Sequence, residues 1–549
     1  MKNLKTTLFV MVLFLIFSSA INAQLNNQES KSLIQQELQK HFKSDEPGVT
    51  LVVAKEGEII FLGAAGMANL ELNVPMKANN VLRIGSITKQ FTAVAILMLQ
   101  EQGKLNIQDD ITKYLPSYPT NGKEITIEHL LTHTSGIRSY TSLSDFMGKI
   151  RDDKTTKEMI DIFKDKDMLF EPGEEFSYNN SGYFLLGVII EKASGMTYED
   201  FIEKNIFEKI GMENSYYGRA DQIIPNRASG YELEDDVINA PYLSMTIPYA
   251  AGSLLSTVED LYKWHRAIHN YQVVKKSSLD KAFTPYTLKN GDSTDYGYGW
   301  GIDSFYGEKI IQHSGGINGF VTNEMYLPEQ DIFIAAFSNG KNPSFFTQLI
   351  AAKMIGKYPM TKRKSLSPEV LADYVGIYQV ENSKDKRTIK IKGDHLTSFR
   401  TGGNLLNLYS FDKDKFYFEK SLDIFEFKRN KEGKVVGIIA QLPNGKIGRA
   451  IKTDEKPIER KVVKLDEQTL QKYVGIYEIG PGFALDFSVK DNSLWVIATG
   501  EPKLQVFAEG DHKFFLKDVD ANLEFKEVEN KITEVKVNLG NEIHIAYKK

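Results

Sequence analysis

The sequence predicts an α+β domain, with an antiparallel sheet flanked by helices, followed by two small antiparallel β domains. Strand patterns at both ends of residues 30–356 enclose long helical patterns, which favours helices packed on one antiparallel sheet. After residue 359 the strand-like runs are short, and no long helical pattern follows. The motif Tyr374-Val-Gly-Ile-Tyr378 returns as Tyr473-Val-Gly-Ile-Tyr477, and two copies indicate two similar domains rather than a solenoid.

These patterns divide the 549 residues into four segments, because a chain of this length is too long for one hydrophobic core. We expect a signal peptide over residues 1–23 and the α+β domain over 24–358. The two β domains are expected over 359–457 and 458–549, and the first of them opens with a charged, proline-containing linker.

The N-terminus carries the pattern of an export signal. Two lysines among the first five residues precede an apolar run from Leu8 to Phe17, and Ala23 ends a plausible cleavage site. The run is short for a membrane span, and an uncleaved anchor is the alternative interpretation. We therefore expect a periplasmic or secreted protein that begins near Gln24 and has no stable membrane span after cleavage.

Composition excludes several other classes of protein. The chain has no cysteine, which excludes disulfides, thiolate metal sites and a lipid-modified cysteine anchor. A net charge of −5 gives no reason to expect nucleic acid as a partner. His129 and His133 have a metal-ligand spacing without an evident third ligand, so we predict no metal and no cofactor. The expected partner is a small-molecule or peptide substrate, and the oligomeric state is left open.

The first elements of the α+β domain follow from periodicity and turn residues. Apolar residues at helical spacing predict a helix over 30–42. Two apolar runs on either side of Glu56-Gly57-Glu58 predict a β-hairpin. Thr126 is a suitable cap for a short helix that ends near Gly136.

The later elements are read in the same way. A loop rich in turn formers over 171–183 leads into an apolar helix over 184–193. Residues 309–338 contain three apolar runs that predict three consecutive antiparallel strands, and a helix is expected over 343–355. The sheet should therefore combine the N-terminal hairpin with these three late strands.

The predicted domain is organised around a helix that opens at Ser86. Gly85 permits a tight entry, and serine is favoured at the N-cap or in the first turn of a helix. Gly103 suits the position just after the last turn. Residues 91–99 are apolar on every side, so we expect this helix to be buried.

Lys89 lies three residues after Ser86, so the two side chains share a helical face. Partial burial lowers the pKa of a lysine and lets it help to deprotonate a serine. The amides at the start of the helix favour negative charge, which suits an oxyanion. The spacing alone is a weak signal, and a simple N-cap role for Ser86 is the alternative. The same spacing begins at Ser278, Ser338, Ser383 and Ser410.

Two further motifs follow in order. They are Tyr178-Asn179-Asn180, in the loop before the apolar helix, and His313-Ser314-Gly315-Gly316, on a predicted strand. Together with Ser86-x-x-Lys89, and with Leu-Leu-Thr-His-Thr-Ser-Gly at 130–136, they resemble the serine β-lactamase and penicillin-binding-protein superfamily in its class C-like branch. That branch contains D-alanyl-D-alanine carboxypeptidases, D-aminopeptidases and carboxylesterases. The resemblance covers roughly residues 30–356.

The resemblance implies a role for each residue of the first two motifs. Ser86 is the expected nucleophile that forms an acyl-enzyme, and Lys89 and Tyr178 are the expected general-base pair. The pKa of tyrosine is ordinarily about 10, so Tyr178 would need a lysine cation nearby to act near neutrality. Asn180 is expected to orient Lys89 and the substrate amide.

The third motif is expected to bind substrate through His313, Ser314, Gly315 and Gly316. The backbone N–H groups of Ser86 and Gly316 would form the oxyanion hole, and glycines allow a substrate backbone to approach the strand closely. His313 stands where most β-lactamases have the lysine of Lys-Thr-Gly. Histidine is mostly neutral at pH 7, so a permanent cation for a substrate carboxylate is missing. This argues against efficient β-lactam hydrolysis and leaves peptide or ester acyl transfer open.

The two C-terminal domains are similar to the lipocalin-like, eight-stranded β-barrels that follow the catalytic domain in some D-aminopeptidase-type relatives. In such relatives a barrel loop can reach the active site, and Gly480-Pro481-Gly482-Phe483 is a candidate by position. A spacer or docking role is the alternative.

The sequence thus predicts an exported serine hydrolase that acts on small peptide or amide substrates containing D-residues. A carboxylesterase or weak β-lactamase built on the same residues is one alternative. A non-catalytic ligand-binding or sensor protein is another, because the paired β domains could hold a ligand.

Overall fold

The structure is a computed structural model that describes part of the chain. The residues described are 27–549, except 144, 145, 147, 149, 234, 235, 359–361, 458, 459, 481, 482, 500, 502, 518 and 541. The expected signal peptide and two residues of the candidate loop, Pro481 and Gly482, lie outside them. Along the part of the chain that is described, no helix is both long enough and apolar enough to cross a bilayer.

A six-stranded antiparallel sheet forms the centre of the first domain. Its strands are β1 (Val49–Lys55), β2 (Glu58–Ala65), β3 (Gly301–Phe305), β4 (Glu308–Ile317), β5 (Phe320–Leu327) and β6 (Ile332–Ser338). Their order is β3-β4-β5-β6-β1-β2, so the N-terminal hairpin joins the late strands through the β1–β6 pair. The sheet has four late strands where the sequence predicted three. The short β3 was missed because its Gly-Ile-Asp-Ser-Phe sequence carries few strand-forming residues.

Helices cover both faces of this sheet. The longer ones are α1 (Asn27–His41), α2 (Thr88–Glu101), α3 (Asn180–Ser194), α4 (Val258–His269) and α5 (Ser344–Met354). Alternate side chains of β1 separate the two faces, as strand geometry requires. Leu51 and Val53 pack with α1 and α5, whereas Val52 and Ala54 pack with α2, α3 and α4.

Shorter elements fill the connections between these. The helices are Ile127–Leu131, Thr156–Phe163, Tyr198–Ile202, Glu208–Ile210 and Lys276–Ala282, with a π-turn at Glu203–Phe207 and 3₁₀ turns at Gly85–Ile87, Ile111–Lys113, Tyr140–Ser142 and Tyr249–Ala251. Small sheets pair Met67–Asn69 with Val74–Pro75, Leu82–Arg83 and Tyr216–Tyr217 with Leu254–Ser256, and Tyr231–Leu233 with Val237–Asn239.

Two helix boundaries differ from the prediction. Ser86 is not an N-cap: it lies in the 3₁₀ turn before α2, and no side chain caps that helix. The short helix capped by Thr126 ends at Leu131 rather than near Gly136, because His133 turns the chain with a φ of +59°. The expected stop of α2 is confirmed, since Gly103 adopts a φ of +69°.

The remainder of the chain forms two closed antiparallel barrels of eight strands each, which confirms the predicted pair of β domains. The first comprises Gly376–Val380, Lys386–Lys392, His395–Arg400, Leu405–Asp412, Lys415–Phe418, Ile424–Arg429, Val435–Gln441 and Ile447–Lys452. The second comprises Gly475–Gly480, Phe483–Lys490, Ser493–Ala498, Leu504–Gly510, Lys513–Leu516, Ala521–Val528, Lys531–Leu539 and Glu542–Lys548. A one-turn helix precedes each barrel, at Pro368–Ala372 and Glu467–Gln471.

The repeated tyrosine motif has a structural role in each barrel. The buried hydroxyl of Tyr378 donates a hydrogen bond to the carbonyl of Tyr374 at 2.7 Å, and Tyr477 donates to Tyr473 at 2.9 Å. Aromatic side chains pack around these tyrosines in the barrel centres, as expected where eight strands leave room for side chains alone.

The first barrel lies against the edge strand of the central sheet. Its Leu422 is buried among side chains of the first domain, and the hydroxyl of Tyr306 donates to the Leu422 carbonyl at 3.2 Å. The backbone N–H of Tyr306, just after β3, donates to the carbonyl of Pro443. The barrel therefore contacts the central sheet at the end of its edge strand.

Candidate active site

The structure brings the first two predicted motifs together at the start of α2. The Lys89 Nζ lies 3.0 Å from the Ser86 Oγ and 2.8 Å from the Asn180 Oδ1. The Tyr178 hydroxyl lies close to the Ser86 side chain. Ser86 and Lys89 belong to one segment of the chain, and Tyr178 and Asn180 belong to another. The two segments are far apart in the sequence, since 91 positions separate Lys89 from Asn180.

Local capping explains why Asn180 is available to Lys89. Asn179 is the N-cap of α3, and its side chain accepts a hydrogen bond from the Gly182 N–H at 2.9 Å. Asn180 is then the first helical residue, and its side chain is free to turn toward α2. Its amide nitrogen donates to the Thr141 hydroxyl at 3.1 Å, which fixes the oxygen on the Lys89 side.

Lys89 also contacts a carbonyl that the sequence did not point to. Its Nζ lies 2.8 Å from the Ala251 oxygen, in the 3₁₀ turn Tyr249–Ala251. Threonines of α2 hold this turn in place: the Thr92 hydroxyl donates to the Ala250 carbonyl at 2.7 Å, and the Thr88 hydroxyl accepts from the Leu254 N–H at 3.2 Å.

These contacts decide the protonation state of Lys89. The side chain is fully buried, and burial lowers its pKa well below the ordinary 10.5. A neutral amine has two N–H groups and one lone pair. The oxygens of Asn180 and Ala251 can only accept, so they take both N–H groups. The lone pair is left for the Ser86 hydroxyl.

Tyr178 is a neutral phenol in this setting. Tyr178 is 40% exposed, yet burial of its hydroxyl group raises its pKa above the ordinary 10, and the nearby Ser86 side chain offsets this only in part. The Lys89 nitrogen lies 4.9 Å from the centre of the ring. A neutral Lys89 supplies no cation that would stabilise a phenolate here.

His133 is a residue whose part in the site the sequence analysis missed. Its ring packs 4.3 Å from that of Tyr178 and 4.8 Å from that of Tyr296, and its Nδ1 accepts from the Asn179 N–H at 3.0 Å. Burial holds the pKa of His133 well below 6.5, so the ring is neutral. The Leu-Leu-Thr-His-Thr-Ser-Gly stretch that contains it was noticed, but no pattern in it indicates that its histidine supports Tyr178.

His129 also has a structural role, as part of a helix cap. Its Nδ1 accepts from the Thr126 N–H at 3.2 Å, which completes a reciprocal cap on the short helix. The two histidines therefore direct their Nδ1 atoms at different backbone groups.

His313 lies beneath Tyr178, with the two ring centres 6.3 Å apart. Its Nδ1 lies 2.6 Å from the Ser314 carbonyl, which can only accept, so Nδ1 carries the proton. The Nε2 then accepts from the Tyr296 hydroxyl at 2.9 Å. Burial lowers the pKa of His313 to about 3, so this position holds no cation at neutral pH.

The glycines of the third motif let β4 pass close to the entry of α2. A side chain at Gly315 would clash with the Ile84 carbonyl and the Thr322 hydroxyl, which are themselves joined by a hydrogen bond of 2.9 Å. A side chain at Gly316 would meet no described atom within 4 Å. Gly316 instead faces open space on the Ser86 side, and Ser314 is exposed on the strand.

A cavity of about 160 Å³ opens beside these groups. Ser86, Asn180 and Gly316 form its polar side. Its other walls are mostly apolar, and they include Tyr140, Phe146, Ile150, Leu243, Ile247 and Pro248. The cavity suits a small acyl group with one polar edge.

The fold and this cavity define an α+β domain of the β-lactamase type. The chain belongs to the beta-lactamase family, whose profile matches residues 31–354. A second profile, the domain of unknown function DUF3471, matches residues 459–548, which form the second barrel.

Relatives carry the penicillin-binding-protein name. Penicillin-binding protein 4* of Bacillus subtilis (strain 168) is 30% identical over 360 residues, which are 61% of this chain and 79% of that protein. The octameric penicillin-binding protein homologue from Pyrococcus abyssi is 29% identical with a TM-score of 0.55, and the match covers 78% of this chain and 100% of that one. A D-stereospecific amidohydrolase from Streptomyces sp. is 26% identical with a TM-score of 0.50, over 56% of this chain and 94% of that one.

The neutral, buried state of His313 has a measurable consequence. Its pKa is about 3 in the folded protein and about 6.5 in an unfolded chain. Between these values the unfolded state binds a proton that the folded state does not, so stability is lost as pH falls below 6.5. We expect His313→Asn to remove this contribution, which reaches about 1.4 kcal/mol per pH unit.

Urea unfolding followed by tryptophan fluorescence at pH 7, 6 and 5 measures this slope. The free energy of unfolding should depend on pH less steeply in His313→Asn than in the wild type. His544→Asn, at a surface histidine of the second barrel, is the control and should keep the wild-type slope. Parallel slopes for wild type and His313→Asn would contradict the buried, neutral assignment.

Proposed function

We propose that the protein is an exported serine hydrolase that cleaves small peptide or amide substrates through an acyl-enzyme on Ser86, with a preference for D-residues. The observation that carries the proposal is the buried Lys89 amine, whose Nζ lies 3.0 Å from the Ser86 Oγ and 2.8 Å from the oxygens of Asn180 and Ala251. The likeness to the D-stereospecific amidohydrolase supports the choice of substrate. The order of the three motifs supports the class C-like branch.

Acylation begins with transfer of the Ser86 proton to the lone pair of Lys89. The Ser86 oxygen forms a bond to the substrate carbonyl carbon, and the carbonyl oxygen becomes an oxyanion. The N–H groups of Ser86 and Gly316 would donate to that oxyanion, and one such donor is typically worth about 10²–10³ in rate. The open side of Gly316 supports this role, since a substrate can come close to its backbone.

Collapse of this intermediate breaks the C–N bond of the substrate. The departing amine needs a proton, and the neutral Tyr178 hydroxyl, which lies close to Ser86, would give it. The protonated Lys89 then returns a proton to Tyr178, so both groups regain their starting states. Water attacks the acyl-enzyme by the same path in reverse and releases the acid product.

A carboxylesterase acting with the same residues is the second candidate. His313 is uncharged, so the third motif offers no cation to hold the terminal carboxylate of a peptide. The cavity walls are mostly apolar, which suits an uncharged acyl chain. Both features also argue against efficient turnover of β-lactams, which carry a carboxylate.

Export is part of this proposal. The apolar run from Leu8 to Phe17 behind two lysines supports secretion or a periplasmic location. An acyl-transfer enzyme for D-residue peptides would meet its substrates outside the cytoplasm.

The nucleophile can be identified by covalent labelling. A fluorescent penicillin or a fluorophosphonate should label the wild type and fail to label Ser86→Ala, because the reagent bonds to the attacking oxygen. Ser383→Ala is the matched control, since Ser383 is an exposed serine with the same spacing to a lysine. It should label as the wild type does. Equal labelling of Ser86→Ala would remove the assignment.

Two substitutions at Lys89 separate a base from a fixed charge. Lys89→Met keeps the length of the side chain and removes the amine, and Lys89→Arg supplies a cation that cannot lose its proton. We expect both to slow acylation by about 10²–10⁴, the usual contribution of a general base. Intact-mass spectrometry during the first turnovers measures the acylation rate. Near-normal acylation in Lys89→Arg would show that charge, not proton transfer, is what Lys89 supplies.

A substrate panel tests the preference for D-residue amides. We expect D-alanine p-nitroanilide to be hydrolysed with a kcat/KM at least about tenfold above its L-enantiomer, because a shaped pocket separates enantiomers by contacts of this size. Nitrocefin should be a poor substrate. Turnover of p-nitrophenyl butyrate with no turnover of either anilide would favour the esterase, and no turnover that depends on Ser86 would favour a binding protein.

A further inference from the structure

A second cavity of about 370 Å³ lies next to the Ser86 cavity. Arg83 and Arg227 line it, together with polar side chains that include Asn239 and Tyr242. Asn318 borders both cavities, so the two are adjacent at that residue. Among the residues described, the lining contains two cationic groups and no carboxylate.

Arg83 is buried, and the residues that the structure describes give its charge no acceptor. It is 8% exposed, and its enclosed Nε has no hydrogen-bond partner among them. In the described part of the chain no carboxylate pairs with its guanidinium, whose neighbours include the ring of Phe320 at 5.9 Å. Burial lowers its pKa to about 10, so the group is still charged at neutral pH. A buried cation without a partner is costly, and folded proteins ordinarily pair such groups.

The backbone holds Arg227 beside Arg83 although the two charges repel. Val81 forms a bridge with Arg227, and the Ala228 N–H donates to the Val81 carbonyl at 3.1 Å. The proximity of Arg227 contributes to the lowered pKa of Arg83. Arg227 itself is exposed at the rim, where it can turn toward a bound group.

Two guanidinium groups facing one cavity match the geometry of an anionic oxygen group. Each can form paired hydrogen bonds to a carboxylate or a phosphate, and such charged bonds are roughly twice as strong as neutral ones. An anion would supply both the missing acceptor for Arg83 and the counter-charge that separates it from Arg227.

The subsite is within reach of the reacting bond. Arg83 is three residues before Ser86, and three residues of extended backbone span at most about 11 Å. A short acyl chain can therefore occupy the Ser86 cavity and place its far end beside Asn318.

We propose that Arg83 and Arg227 form a subsite for an anionic group of the substrate, either a carboxylate or a phosphate. The subsite lies on the opposite side of Asn318 from Ser86. The proposal rests on the proposed function, since it assumes that a substrate acylates Ser86. It predicts that acidic acyl donors are preferred over neutral donors of similar length.

The test compares p-nitrophenyl butyrate with mono-p-nitrophenyl glutarate, which adds a terminal carboxylate. The measured quantity is the ratio of the two kcat/KM values within each variant, so a general loss of activity cancels. We expect the ratio to favour glutarate in the wild type and to fall about tenfold in Arg227→Gln, as one charged hydrogen bond predicts. Arg83→Lys keeps the charge, loses the paired geometry and should also lower the ratio.

Arg219→Gln is the matched control, because Arg219 is a surface arginine paired with Asp221 outside both cavities. It should keep the wild-type ratio. Glutarate and inorganic phosphate, tested as inhibitors of butyrate turnover at constant ionic strength, identify the preferred group by the tighter inhibition constant.

The outcomes separate this proposal from the one on which it rests. Turnover that survives in Ser86→Ala would overturn the proposed function itself. Turnover that requires Ser86, with the same acidic-to-neutral ratio in wild type and Arg227→Gln, would overturn the subsite alone.

Discussion

Burial of the Lys89 amine among neutral acceptors is the constraint on which the site depends. A charged ammonium would need a carboxylate to offset its loss of hydration, and in the described structure its polar partners are an amide, a carbonyl and a hydroxyl. Burial therefore favours the neutral amine. With Asn180 and Ala251 accepting its two N–H groups, the lone pair of that amine can face the Ser86 hydroxyl, as the proposed base role requires.

The scaffold keeps α2 in place through a second buried network, directly behind Lys89. Glu324 on β5 accepts a hydrogen bond from the side chain of Gln90, and the Gln90 oxygen accepts from the indole of Trp264 at 3.0 Å. Burial raises the pKa of Glu324 to about 7. Because Glu324 is paired across the strands with His313, this network ties the first turn of α2 to the strand that carries the third motif.

Much of the fold could be predicted from the pattern of neighbouring residues in the sequence. The apolar run after Ser86 identified a buried helix, and the hairpin, the late strands and the repeated tyrosine motif identified the sheet and the barrels. Those features depend on the periodicity of neighbouring residues, which a sequence displays directly. The fourth late strand was missed because a short strand with glycine and aspartate shows no such periodicity.

The partners of the site could not be predicted in the same way. The carbonyl of Ala251 carries no residue-type signal, since every residue has one. Tertiary packing brings it to Lys89, and the hydrogen bond from Thr92 to Ala250 is part of that packing. The protonation states of Tyr178 and His313 depend on how much protein encloses them. The residues that enclose these side chains lie elsewhere in the chain and carry no motif. Tyr296, whose hydroxyl donates to His313, is one of them.

Under the proposed mechanism, the neutral state of His313 beside Lys89 accounts for the position of the proposed anion subsite away from the base. A fixed cation next to Lys89 would disfavour the protonated amine that acylation must form, whereas a neutral His313 leaves that step unopposed. A cation used for binding is better placed beyond the reach of this effect. The proposed subsite of Arg83 and Arg227 meets that condition, since burial and not the charge of either arginine lowers the pKa of Lys89. The proposed base, Lys89, and the proposed binding cations are therefore separate, because the buried lysine must gain and lose a proton in each catalytic cycle.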